Sequence, residues 1–211
     1  MSGLEAVEEA LGSPDRHHVV VVAERLDAFP TDTPARIAAS HTLDDVPAPD
    51  VILVPGGGAP TLRQLANPVL LDYLREVDRN ADVVASVCTG SLLLAGAGLL
   101  QGRPATTHWA YRGFLDRLGA RYVAERWVED GRYLTGAGVS AGIDTALRLA
   151  SRLASDEMSR LVQLAIEYDP RPPLGGIDWS TVDRDMLRPR VERFAKEALG
   201  DNPSMLARLL G

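Results

Sequence analysis

The chain has 211 residues, 45% of them hydrophobic and 24% charged, with a formal net charge of −7. This is the balance of an ordinary globular protein, long enough to bury a core without cross-links, and its acidity argues against capture of nucleic acid by a globally basic surface. The single cysteine excludes an intramolecular disulfide and a cysteine-based zinc cluster.

The acidic opening, Met1 to Ala10, has neither the basic nor the apolar region of a secretory signal. No apolar run approaches the ~18 residues that span a bilayer. A cytoplasmic protein without membrane association is expected, and a lone thiol fits a reducing compartment.

In chain order, Val19 to Ala23 is a short apolar run expected to form a strand buried on both faces. Val51 to Val54 is a second, stopped by Pro55-Gly56-Gly57-Gly58. Helical spacing over Thr61 to Val77 puts Leu62, Leu65, Leu70, Leu74 and Val77 on one face. Val83 to Val87 reads as a third strand and Thr89 to Leu100 as a buried helix. A brief strand at Ala105 to Thr107 precedes a helix over Trp109 to Leu118. Short strands are expected at 121–123, 126–128 and 133–135, with Asp130-Gly131 as a hairpin turn. Helices over Ser140 to Leu153 and Asp156 to Tyr168 follow. Strands alternating with helices predict an α/β protein with a mostly parallel sheet covered on both faces. Asp169-Pro-Arg-Pro-Pro173 breaks the pattern, which divides the chain into an α/β domain over 1–173 and a helical extension over 174–211. Trp179, Phe194 and Leu199 suggest that the extension docks on the rest, because a large exposed apolar patch is a liability.

The chemical centre is Ala81-Asp-Val-Val-Ala-Ser-Val-Cys-Thr-Gly-Ser91, where a buried strand runs directly into a helix with Cys88 at the junction. A sharp strand-to-helix turn pushes a nucleophile out above the sheet edge, where α/β sheets bind ligands. A helix N-terminus favours the thiolate, so a lowered thiol pKa is expected, and the Thr89 N–H can face a developing oxyanion. A buried, inert cysteine is the competing reading. Gly57 and Gly58 end the preceding strand and can offer a second oxyanion donor, or form a plain turn. His108, in Thr106-Thr107-His108-Trp109, can reach the same edge and pair with the thiol, or serve as a hydrogen-bonded structural residue. Asp144 lies in the first turns of a helix as a dipole partner or a site residue.

Several segments together resemble the ThiJ/PfpI superfamily, whose fold is that of the class I glutamine amidotransferases. They are Val-Cys-Thr-Gly-Ser at 87–91, Ala-Gly-Leu-Leu-Gln-Gly at 97–102, Ala-Thr-Thr-His-Trp-Ala-Tyr at 105–111, Leu-Thr-Gly-Ala-Gly-Val-Ser-Ala-Gly-Ile-Asp at 134–144 and Glu-Tyr-Asp-Pro-Arg-Pro-Pro at 167–173. Within the superfamily they look like the isonitrile hydratase branch. The resemblance implies a flavodoxin-like three-layer sandwich, a homodimer, a small-molecule substrate, and no metal or organic cofactor. It places Cys88 as the nucleophile, Gly57 and Thr89 at oxyanion or substrate-contacting positions, and His108 near the cysteine. In the hydratases the thiolate attacks the isonitrile carbon, and water releases an N-substituted formamide from the resulting thioimidate.

This sequence departs from that pattern at its start. Family members open with a strand followed by an acidic residue that approaches the cysteine. Here Met1 leads almost directly into the first expected helix, so the opening strand is expected to be missing. Glu5 is the local candidate for the acid, or else a solvated helical glutamate. Either the reading frame starts further upstream, or the chain lacks the strand and Cys88 lacks its acid partner.

Two further functions compete with hydration. One is a non-catalytic ligand- or stress-sensing domain related to the N-terminal domain of AraC-like regulators; only 38 residues follow Pro173, too few for their paired helix-turn-helix units. The other is an amidase, protease-like or glyoxalase-type member. Those carry His directly after the cysteine, where this chain has Thr89.

Overall fold

The computed structural model describes residues 18–31 and 34–211. Glu5 and the expectation of a missing opening strand fall outside the described residues. Ten strands are described: β1 (Val22–Ala23), β2 (Phe29–Pro30), β3 (Arg36–Ile37), β4 (His41–Thr42), β5 (Val51–Val54), β6 (Val83–Val87), β7 (Pro104–Ala105), β8 (Arg121–Tyr122), β9 (Trp127–Asp130) and β10 (Tyr133–Gly136). Eight α-helices accompany them: α1 (Ala59–Arg63), α2 (Pro68–Asp78), α3 (Gly90–Gly96), α4 (Arg112–Arg117), α5 (Ala141–Leu153), α6 (Asp156–Ala165), α7 (Arg188–Leu199) and α8 (Pro203–Leu210).

The main sheet has the order β5-β6-β10-β9. The first three strands are parallel, with Val54 opposite Ser86 and Gly136 opposite Val87. Strand β9 closes the edge antiparallel through the Asp130-Gly131 hairpin, where Gly131 takes φ 61°. Successive side chains of a strand point to opposite faces, and β6 uses both. Val84 packs with Leu62, Leu92 and Leu115 on one side, whereas Val83 and Ala85 pack with Leu134, Leu149 and Leu153 on the other. Helices therefore cover both faces of a mostly parallel sheet, as expected of a flavodoxin-like three-layer sandwich.

Two expected elements differ. The run from Val19 to Ala23 is not a doubly buried strand: Val19 and Val21 are 59% and 50% exposed, and only Val22–Ala23 pairs, with β4. The helix expected over Thr61 to Val77 is broken in two, because Pro68 disfavours helical geometry at Asn67. Asn67 instead takes φ −97°, ψ 99° and caps α2, its side chain accepting from the N–H groups of Val69 and Leu70.

Residues 174–211 are packed into the same structure. Val191, Ala195, Leu199 and Leu209 are buried in the core shared with α3 and α4. Leu199 and Leu209 are 1% and 0% exposed, and a buried leucine contributes roughly 1.5–3 kcal/mol. Arg117 donates to the carbonyls of Leu209 and Gly211, and Trp179 meets Trp109 edge-on at 5.9 Å.

Candidate active site

Strand β6 ends at Val87 and α3 begins at Gly90, so Cys88 and Thr89 make the whole turn. Cys88 pays for this with φ 57°, a left-handed conformation costing a non-glycine residue about 1–3 kcal/mol. Four hydrogen bonds hold it there. Its N–H donates to the carbonyls of Gly136 (3.0 Å) and Ala137 (2.9 Å), and its carbonyl accepts from Ser91 Oγ (3.1 Å) and Thr107 Oγ1 (3.0 Å). Close approach by the β5 loop completes the turn. A Cβ on Gly90 would lie 2.1 Å from the Val54 carbonyl oxygen, and one on Gly56 would lie 2.5 Å from the Thr89 nitrogen and 2.8 Å from the Cys88 Cβ.

The thiol is half-buried. Burial pushes its pKa up, opposed by hydrogen bonds from the Thr89 N–H, the Thr89 hydroxyl and the Val139 N–H. This reverses the expectation of a lowered value. Among the described residues no cation is placed to stabilise the thiolate, and the backbone donors of a two-turn helix do not outweigh desolvation.

Thr89 is fully buried, and its hydroxyl is tied to Gly57: it accepts from the Gly57 N–H at 2.8 Å and donates to the Gly57 carbonyl at 2.7 Å. The Gly57 N–H is thus occupied rather than aimed at substrate. Gly58 precedes α1 and packs against the ring of Phe194 on α7, 3.3 Å from where its Cβ would stand. Thr106 and Thr107 act as fasteners. The Thr106 N–H donates to Thr135 Oγ1 (2.9 Å), while the Thr107 hydroxyl donates to the Cys88 carbonyl.

His108 caps the turn Trp109–Tyr111, its Nδ1 accepting the Ala110 N–H at 3.2 Å. The neutral ring then carries its proton on Nε2. Burial lowers the pKa of His108. Its ring lies against Gly138, beside the Val139 N–H that reaches the thiol, and it is not among the groups that shift Cys88. Asp144 is engaged elsewhere, paired with Arg126 at 2.6 Å and accepting the Tyr168 hydroxyl at 3.1 Å. The structure therefore joins Gly57 to Thr89 next to Cys88, sets Gly58 against Phe194 and the His108 ring against Gly138, and places Asp144 in a separate polar cluster. Gly56 and Val139 were not singled out from the sequence, although both lie in segments that were.

A cleft of about 180 Å³ lies away from the thiol, between α4 and the C-terminal helices, bordered by Arg112, Arg117, Arg184 and Arg188. Among the described residues no cluster of three or more His, Cys, Asp or Glu side chains could hold a metal ion, and no helix is long and apolar enough to cross a membrane.

A model of the DJ-1/PfpI family matches residues 5–152. The chain belongs to the DJ-1/PfpI family. It is 45% identical over 166 residues to the isonitrile hydratase of Pseudomonas putida, a span covering 78% of this chain and 72% of that protein. A crystal structure of a ThiJ/PfpI family protein from Pseudomonas syringae is similar at TM-score 0.80 and 30% identity, over 100% of this chain and 87% of that one. The HTH-type transcriptional regulator CdhR of Pseudomonas aeruginosa is 34% identical over 143 residues, 67% of this chain but 40% of the regulator. The mostly parallel sheet flanked by helices agrees with the fold of that family.

Proposed function

We propose that this DJ-1/PfpI protein is an isonitrile hydratase-like enzyme that converts a small isonitrile to an N-substituted formamide with Cys88 as nucleophile. The observation that carries the reading is Cys88 itself, held at positive φ on a strand-to-helix turn with the Thr89 and Val139 N–H groups on its sulfur. Identity of 45% to a hydratase supports it. In the first step sulfur bonds to the isonitrile carbon and a proton is delivered to that carbon, giving a thioimidate. Water then adds to the carbon, the nitrogen gains a proton, the C–S bond breaks, and the thiol recovers its hydrogen. No cofactor takes part. Incubation with n-butyl isonitrile, followed by proton NMR, is expected to reveal N-butylformamide; no formamide from any of a set of alkyl and aryl isonitriles refutes the reading.

A second reading, a sensing domain without turnover, is favoured by one observation: burial raises the thiol pKa. It predicts saturable ligand binding that survives Cys88→Ala. We further infer a cytoplasmic homodimer. Leu164 and Ile177, 74% and 64% exposed, support association. Sedimentation at a monomer mass refutes it.

A further inference from the structure

The cleft between α4 and the C-terminal helices reverses the charge of the molecule around it. The chain is acidic, with a formal net charge of −7, yet four guanidinium groups border a cavity of about 180 Å³ against two carboxylates, Asp185 and Glu192. Both carboxylates are taken: Asp185 pairs with Arg112 at 2.7 Å and Glu192 with Arg188 at 2.8 Å. Arg112 also donates to the Arg184 carbonyl (2.7 Å), and Arg117 donates to the carbonyls of Leu209 (2.7 Å) and Gly211 (3.1 Å). These bonds fix two of the guanidinium groups as walls.

Arg184 and Arg188 are placed differently. Arg184 is half-buried over the Trp179 ring at 5.9 Å, and its guanidinium has neither a hydrogen bond nor a carboxylate partner among the described residues. Arg188 reaches Glu192 through Nε alone, so its terminal nitrogens are likewise without a protein acceptor among the described residues. Arg188 also opens α7, whose first turn holds no acidic residue and whose cap, Leu187, offers no side-chain acceptor. The positive end of this 12-residue helix adds to the attraction for an anion. The floor is apolar, with Phe114 and Val191 only 4% and 5% exposed. At Gly113 the wall opens on empty space: apart from the helix backbone and its chain neighbours, a Cβ there would meet nothing nearer than Arg117 Nη1 at 3.9 Å.

We propose that this cleft binds a small phosphate monoester, with Arg184 and Arg188 on the phosphate and the organic group against Phe114 and Val191. The site lies away from Cys88 and does not depend on the chemistry of that residue. Four guanidinium groups less two carboxylates leave two positive charges, which match a dianion. A phosphate monoester is a dianion above its second pKa of about 6, and it presents three acceptor oxygens to the guanidinium forks. A carboxylic acid brings one charge and two oxygens to the same donors. A half-buried guanidinium without a counterion has lost part of its hydration, and the bound phosphate supplies the missing acceptor.

The test is calorimetric titration of the protein with phenyl phosphate, inorganic phosphate and benzoate in about 0.1 M sodium chloride, where charges more than about 10 Å apart are largely screened. Phenyl phosphate is expected to bind saturably at one site per chain, about fivefold or more tighter than inorganic phosphate, which lacks the ring, and than benzoate, which lacks the second charge. Arg184→Gln is expected to weaken phenyl phosphate by about tenfold and to keep the native melting temperature, since the guanidinium has no hydrogen bond or ion pair to lose. Arg79→Gln removes the same charge outside the cleft, from a residue paired with Glu76, and is expected to keep the native affinity. Gly113→Leu fills the cleft and is expected to abolish binding. Absence of saturable binding, benzoate as tight as phenyl phosphate, equal weakening by Arg184→Gln and Arg79→Gln, or native affinity in Arg184→Gln or Gly113→Leu overturns the proposal. None of these readouts uses turnover at Cys88, so failure of the hydratase reading and failure of this site are seen separately.

Discussion

The hydroxyl of Thr89 is bound at both ends to the backbone of Gly57, accepting its N–H at 2.8 Å and donating to its carbonyl at 2.7 Å. A hydroxyl has one proton to give. With a neutral thiol that proton rests on the Gly57 carbonyl, and with a thiolate it is drawn to sulfur, where it lowers the thiol pKa. Thr89→Val removes the donor and keeps the shape. It is expected to raise the pH midpoint of Cys88 alkylation by iodoacetamide, whereas Thr89→Ser keeps the native midpoint. An unchanged profile in Thr89→Val contradicts this role.

Gly56 sets how closely the β5 loop covers the turn. A Cβ there would stand 2.8 Å from the Cys88 Cβ and 2.5 Å from backbone nitrogen, neither of which is the end of a flexible side chain. Gly56→Ala is expected to cost about 1–3 kcal/mol, as overpacking does. For a chain of this size that is about 2–4 °C of Tm per kcal/mol, together with displacement of the thiol. Thermal melts and alkylation rates measure both effects; native values of each contradict the packing account.

His108 carries a pH signature. Burial lowers its pKa below the ordinary value of about 6.5, so at pH 7 both folded and unfolded forms are neutral and its contribution is intact. As pH falls below about 6.5 the unfolded chain takes up the proton first, and stability is lost until the lowered folded pKa is passed. His108→Asn can still cap the turn and does not titrate. Melting temperatures from pH 7 to pH 5 are expected to fall more steeply for the native protein than for His108→Asn; parallel slopes contradict the burial effect.

How far these features were legible in the sequence depends on whether their cause is local. The strand Val83–Val87 and the bend at Cys88 were legible because an apolar run meeting Cys-Thr-Gly encodes both. The helix break at Asn67 was also local, but the apolar spacing across it masked the Asn-Pro signal. Val19 to Ala23 misled for the opposite reason, since five apolar residues in a row do not reveal how few neighbours cover them. The thiol pKa was reversed because desolvation is set by segments that meet Cys88 from afar, including the loop holding Val139.

Ser86 lies two residues before Cys88, fully buried on β6, and its Oγ has no hydrogen-bond partner among the described residues. Removing an unsatisfied hydroxyl relieves a desolvation cost of roughly 1–3 kcal/mol rather than breaking a bond. Ser86→Ala is expected to leave the melting temperature unchanged or raise it. Thr107→Val, by contrast, is expected to lower it by taking the 3.0 Å bond from the Cys88 carbonyl. Equal destabilisation by both substitutions contradicts the assignment.

The most direct measurement is the rate of N-alkylformamide formation by the native protein and by Cys88→Ala, with both shown to melt at similar temperatures. The account predicts sustained formamide production by the native protein and a rate indistinguishable from buffer for Cys88→Ala. Comparable production by the two proteins contradicts a nucleophilic role for Cys88.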